Sequence, residues 1–135
     1  MKAMRIPGLF MAIVLFVLCL TACDSNSVQQ YVVAAQSYTD ESAIKNAAQP
    51  DSLAAGQEVY ASVAFIESPQ GMEYTARWSM DGKEVKSETK AMITDKTGVL
   101  VFSLKGEQVK TGKLKLEILY KSDVLCSKEL SVENN

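Results

Sequence analysis

From Gln57 onward, apolar residues recur at every second position, in runs cut by turn residues at roughly ten-residue spacing. Alternation with a period of two sends successive side chains to opposite faces of a strand. A chain patterned this way packs as β-sheets. Residues 57–66 place Val59, Ala61, Val63 and Phe65 on one face. Residues 73–80 set Tyr74, Ala76, Trp78 and Met80 against Glu73, Thr75, Arg77 and Ser79. Residues 113–121 set Leu114, Leu116, Ile118 and Tyr120 against Lys113, Lys115, Glu117 and Lys121. Residues 99–104 are apolar on both faces, which predicts a central strand covered on both sides. Residues 124–132 form the last run.

The turns support this pattern. Pro69-Gln70-Gly71 reverses the chain, residues 94–98 are a turn cluster, and Gly106 and Gly112 bracket a loop. Asp81-Gly82 is the signal of a two-residue type I′ hairpin, in which both central residues adopt positive φ. It pairs Met80 with Lys83 and sets Trp78 opposite Val85. In the last hairpin a three-residue loop over Lys121, Ser122 and Asp123 pairs Tyr120 with Val124, Ile118 with Cys126 and Leu114 with Leu130. It also sets Lys115 against Glu129, worth roughly 0.2–1 kcal/mol on a wet face. The cost is Lys128 opposite Leu116 on the buried face, acceptable where its stem lies along apolar surface and its ammonium reaches water. Six or seven short strands without helical periodicity between them predict an all-β fold, a sandwich or a small barrel.

The N-terminal segment has a different character. Lys2 and Arg5 precede a continuous apolar run from Leu9 to Leu20. A run of 12 residues makes a helix of roughly 18 Å, short of a ~30 Å hydrocarbon core. A charged start, a short apolar middle and small residues after it describe a secretory signal peptide over residues 1–22. An uncleaved membrane helix is the rival reading, but no basic stop-transfer flank follows. Leu20-Thr21-Ala22-Cys23 resembles the bacterial lipobox, Leu-x-[Ala/Gly]-Cys. The resemblance implies a diacylglycerol thioether on Cys23, cleavage before it, and a protein held at the cell membrane on its extracytoplasmic or periplasmic side. Cys19 lies inside the apolar run and is part of the signal. Asp24 resembles the inner-membrane retention signal of lipoproteins from Gram-negative enteric bacteria.

Without residues 1–22 the chain keeps all 16 acidic residues and 12 of the 14 basic ones, a formal side-chain charge of -4. If Cys23 carries lipid, Cys126 has no partner for an internal disulfide and reads as a buried small hydrophobe. Residues 24–50 fit helix and strand equally: Val28, Tyr31, Val32 and Ala35 have helical spacing, yet Tyr31-Val32-Val33 also suits a strand. The expected arrangement is a loose tether over residues 23–41, flexible to about Tyr38, then an edge strand at residues 42–46 that opens a domain over residues 42–135.

Composition narrows the chemistry. The chain has no histidine, which excludes a Ser-His-Asp triad, a Cys-His pair and a His-ligated metal. Nucleic acid is a poor match because no basic block is present. Glu58, Glu73, Glu84, Glu88 and Glu117 fall mostly at outward strand positions and read as a solvated face, with no marked pair for acid–base catalysis. Asp81, Asp95 and Asp123 sit singly in turns, where turn chemistry explains them better than calcium does. Trp78 and Tyr74 share a face with Ala76 and Met80, so core packing accounts for them better than a ligand platform. Tyr60 points away from Val59 and Val63, as an exposed interface aromatic does. No cofactor motif is present.

The stretch 55–133 resembles bacterial immunoglobulin-like modules. Gly56-Gln57-Glu58-Val59-Tyr60, Ala76-Arg77-Trp78 with Asp81-Gly82-Lys83-Glu84-Val85, and Gly112-Lys113-Leu114-Lys115-Leu116-Glu117-Ile118 carry the resemblance. It implies a single sandwich of about seven strands and no particular activity. The intersheet disulfide of antibody domains is missing. The expected protein is a non-enzymatic envelope lipoprotein that binds or assembles with a protein partner. The alternative is an inhibitory lipoprotein that blocks an exported hydrolase through the loop at residues 106–112 or the turn at 69–71.

Overall fold

A computed structural model describes residues 27–134 of the chain. The signal segment, Cys19, Cys23 and Asp24 lie outside the described residues. Eight strands form two sheets: β1 (Val28–Ala34), β2 (Ser52–Ala54), β3 (Val59–Ser68), β4 (Glu73–Met80), β5 (Lys83–Ala91), β6 (Lys96–Leu104), β7 (Gly112–Tyr120) and β8 (Asp123–Glu133). One sheet has the order β1-β3-β6 and the other β2-β8-β7-β4-β5. All pairings are antiparallel except β2 with β8, which is parallel.

This is the strand order of an immunoglobulin-like sandwich. β3 and β6 take the places of strands B and E, and β4, β7 and β8 those of C, F and G, with β5 added beside β4. Trp78 stands on the strand equivalent to C, the usual place of the core tryptophan. The inward residues expected on β3, β4 and β7 meet in one core. Phe65, Tyr74, Trp78, Phe102, Leu116 and Ile118 are all buried. The rings of Phe65 and Tyr74 stack at 4.1 Å between centroids, and the Tyr74 hydroxyl bonds to Ser68 Oγ at 2.6 Å.

The chain joins this sandwich earlier than the sequence pattern indicates. Where a loose tether was expected, Val28–Ala34 is a strand whose partners on β3 run from Phe65 to Tyr60. The edge strand expected at residues 42–46 is instead a helix, α1 (Glu41–Asn46). Asp40 caps it, its Oδ2 accepting from Ala43 N at 3.3 Å, with Glu41 in the first turn and Lys45 in the last. Capping and charge both favour that direction. A helix of six residues is too short to hold by itself and depends on packing. Ile44 supplies that packing: it is buried with Val32, Ala34 and Ala64 on the outer side of the three-stranded sheet.

That cover explains a second departure. The doubly covered strand is β3, where Ser62 and Ala64 on the outer face are as buried as Ala61 and Val63 on the inner one. β6, expected at the centre, is an edge strand with Leu100, Phe102 and Leu104 inward and Val99 and Val101 half-buried. Its open edge is closed by side chains from β5. Lys86 Nζ donates to Ser103 O at 2.7 Å and Lys90 Nζ to Val101 O at 2.6 Å, while Ser103 N donates to Glu88 Oε1 at 3.4 Å. These three residues pair with Trp78, Ala76 and Tyr74, so they lie on the inward face of an edge strand. Inward charges there satisfy backbone groups and block pairing with another chain.

Both hairpins differ in detail from expectation. Met80 pairs with Lys83 across Asp81-Gly82, and φ is 50° at Asp81 and 85° at Gly82, as the type I′ signal requires. A bulge then follows: Ser79 pairs with Glu84 and Trp78 with Lys86, leaving Val85 as the extra residue. In the last hairpin Ile118–Cys126, Leu116–Lys128, Lys115–Glu129 and Leu114–Leu130 pair as expected. The loop is only Lys121-Ser122, because Tyr120 pairs with Asp123 and a second bulge absorbs Leu125. Val85 and Leu125 both pack against the core, which is what each bulge accomplishes. Lys128, half-buried, sits on β8 beyond the three residues that β2 covers.

Candidate functional site

The end of the sandwich at which the chain enters is built from Ser27 and three turns. Ser27 O accepts from Ile66 N at 2.9 Å, and its hydroxyl bonds to the Tyr74 hydroxyl at 3.1 Å. Gln70 N donates to Asp95 Oδ1 at 3.3 Å and Gly71 N to Met92 O at 2.9 Å, tying the 69–71 turn to the segment between β5 and β6. The Lys121-Ser122 turn completes this pole. Two large apolar side chains stand exposed among the described residues, Ile93 at 79% and Val124 at 48%, and both belong here. Asp81-Gly82, residues 105–112 and Asn134 form the opposite pole.

Among the described residues, Glu117 and Glu88 are engaged in ion pairs, and Asp40, Asp81 and Asp95 accept hydrogen bonds from backbone N–H groups. Arg77 Nε donates to Glu117 Oε1 at 2.9 Å, and Lys115 Nζ lies 3.7 Å from Glu117 Oε2. Lys86 and Lys90 flank Glu88 at 3.6 and 3.8 Å. Glu58, Glu73 and Glu84 are exposed. Asp81 Oδ1 accepts from Lys113 N at 2.9 Å, the turn role expected of it. Among the described residues no three Cys, Asp or Glu side chains gather as metal ligands. Within the same residues no helix is long and apolar enough to cross a membrane.

The Arg77–Glu117 pair carries a pH signature. The guanidinium hydrogen bond holds the Glu117 carboxyl below its ordinary value, the charges of Arg77 and Lys115 adding to it and burial opposing it. A carboxyl lowered in the folded state stabilises above its unfolded value of about 4.3, and the gain fades as pH falls through the lower folded value. Arg77→Met is therefore expected to destabilise the sandwich modestly at neutral pH and hardly at all in strong acid. Urea unfolding at both pH values checks this; an equal cost at both would show that the ion pair is not the source.

Tyr74 and Trp78 are both fully buried, so they are core and not a platform. Tyr60 is half-buried, and its hydroxyl is pushed above its ordinary value chiefly by its hydrogen bond with Glu58. Cys126 is buried at 6% exposure, as expected of a small hydrophobe. Beside it is a cleft that sequence reasoning missed, lined by Val28, Gln30, Tyr31, Ile44 and Ser127. Tyr31 Oη bridges the cleft by donating to Ser127 O at 2.9 Å. Nothing local marks it, because it exists only where the first strand comes near the last. Of the two loops named for an inhibitor, that at residues 106–112 is bonded into the sandwich, while Pro69, Gln70 and Gly71 are exposed. In residues 106–112, Val109 is buried, Gly56 N donates to Val109 O at 2.9 Å, and Gln108 Nε2 donates to Val85 O at 3.0 Å.

No protein-family model and no curated protein matches the chain. Several solved structures are similar. An immunoglobulin-like protein of Pseudomonas aeruginosa shares 13% identity over 80% of this chain and 95% of its own, with a TM-score of 0.48. The CARDB domain of a Pyrococcus furiosus protein shares 12% identity over 82% of this chain and 97% of its own, with a TM-score of 0.43. A β-glucosidase of Listeria innocua shares 16% identity over 63% of this chain but only 15% of its own length, with a TM-score of 0.48. The fold assignment rests on the strand order and pairing given above.

Proposed function

We propose that this protein is a cell-envelope lipoprotein, anchored through lipid on Cys23, whose immunoglobulin-like sandwich is a non-catalytic binding or assembly module. The observation that carries this reading is Leu20-Thr21-Ala22-Cys23, placed directly after a short apolar run and just ahead of the first strand. A cysteine in that setting takes a thioether-linked diacylglycerol after export, and residues 1–22 are removed. Two or three acyl chains hold a protein to a bilayer where one does not. The module faces the extracytoplasmic side. A non-catalytic role agrees with the missing histidine and with half-buried carboxylates already engaged by Arg77 and lysines. The partner is a protein of the envelope, and neither cofactor nor nucleic acid is involved.

Photo-crosslinkers placed at Ser79, Lys110 and Glu129 in intact cells are expected to capture one and the same envelope protein from more than one position. Capture of lipid alone, or of unrelated proteins at each position, would overturn the binding role. The bonding of the 106–112 loop into the sandwich speaks against its insertion by the alternative, a protein that blocks an exported hydrolase. Excess purified sandwich is accordingly expected to leave lysozyme and protease rates unchanged, and inhibition of either would favour that alternative.

A further inference from the structure

The start of β1 changes the geometry of anchoring. A loose tether of some twenty residues would let the module stand clear of the membrane, but Ser27 is already bonded into the sandwich. Only Asp24, Ser25 and Asn26 separate it from Cys23. Four peptide units span at most about 14 Å when fully extended. The headgroup layer of one leaflet takes up about 5–8 Å of that. At most about 9 Å of water then remains beneath the sandwich, less than the ~10 Å diameter of a single helix.

We propose that the entry pole, comprising Ser27, the 69–71 turn, Ile93 and the Lys121–Val124 turn, lies against the phospholipid headgroups, so that only the sheet faces and the opposite pole are open to a protein partner. This rests on the lipid-anchor reading above. The short leash is one argument, and the position of the exposed apolar side chains is the other. Ile93 and Val124 both stand at the pole that the leash draws to the membrane. A headgroup interface buries part of such side chains, which bulk water leaves hydrated. The charges here are mainly acidic, with Glu67, Glu73, Asp95 and Asp123, and Asp40 and Glu41 beside Ile93, against Lys96 and Lys121. The surface recognised is therefore phospholipid in general, with no selection for anionic lipid. The opposite pole lies roughly 30 Å away, the length of the nine-residue β7.

The test uses the full lipidated chain in phosphatidylcholine vesicles that contain a nitroxide-headgroup lipid as quencher. Ile93→Trp and Val124→Trp report on the entry pole, Lys110→Trp on the opposite one, and buried Trp78 gives the same background in each. Emission from both entry-pole variants is expected to fall by a third or more, with Lys110→Trp unchanged. The same result is expected when a fifth of the lipid is anionic. Two variants at separate turns guard against one that folds poorly. Lipid on Cys23, seen by mass spectrometry, with equal or no quenching at the two poles overturns the orientation and leaves the anchor standing. Quenching of Lys110→Trp alone would place the molecule upside down and also overturns it. A recovered protein without lipid on Cys23 removes the anchor itself, and the orientation with it.

Discussion

Cys23→Ala is expected to take up no labelled palmitate and to leave the membrane fraction for the soluble one. The effect should be close to all-or-none. Each buried CH₂ contributes about 0.8 kcal/mol, so two or three acyl chains would anchor the protein stably where one would not. What remains without them is small: among the described residues two large apolar side chains stand exposed at the entry pole, Ile93 and Val124. The sandwich itself should be unaffected, because Cys23 precedes the first residue that it fixes, Ser27. Cell fractionation and labelled-palmitate uptake measure both points. Equal labelling of wild type and Cys23→Ala would refute the anchor, as would a natural product that still carries Met1 to Ala22.

The largest change in stability is expected at Trp78. Its side chain is fully buried on β4, with Leu116 of β7 on one flank and Lys86 of β5 on the other. Trp78→Ala is expected to cost about 3–5 kcal/mol, because the lost transfer energy is joined by a cavity that a two-sheet core cannot close. That is a large share of the roughly 5–15 kcal/mol by which domains are stable. Trp78→Phe should cost less than half as much. The indole Nε1 is buried with no acceptor among the described residues, so phenylalanine gives up no hydrogen bond to them while keeping most of the ring's packing. Urea unfolding followed by circular dichroism measures both variants. A cost below about 1 kcal/mol for alanine would show that the ring is not central to the core.

The pairing of β7 with β8 is legible in the sequence because two constraints agree. Alternation placed Leu114, Leu116 and Ile118 on one face, and opposite charges set Lys115 against Glu129. The turn that joins them was not readable, since a bulge at Leu125 allows the same register with a shorter loop. Similarly, Asp81-Gly82 announced its hairpin but not the bulge at Val85. A bulge depends on how strongly two strands twist around the core, and no local residue encodes that. For the candidate site, the lipobox was a local motif read directly from four residues. The pole proposed to face the membrane was not, because Ile93, Val124 and Ser27 are far apart in sequence and share one end only after the sheets pack.

By itself, the sequence determined that the chain is all-β, which side of β3, β4 and β7 faces inward, and where an export signal would end. Each follows from chemistry within a few neighbouring residues, namely the two-residue period of a strand or the approach of a peptidase to small side chains. Only the tertiary structure decided that Val28–Ala34 is a strand, that Glu41–Asn46 is a helix, and that β3 instead of β6 lies under cover on both sides. These segments are too short for their own propensities to choose: pairing with β3 decides for Val28–Ala34, and burial of Ile44 on the outer face of the three-stranded sheet decides for Glu41–Asn46. The pairing of β1 with β3 leaves three residues between Cys23 and Ser27, and the proposed orientation at the membrane rests on that spacing.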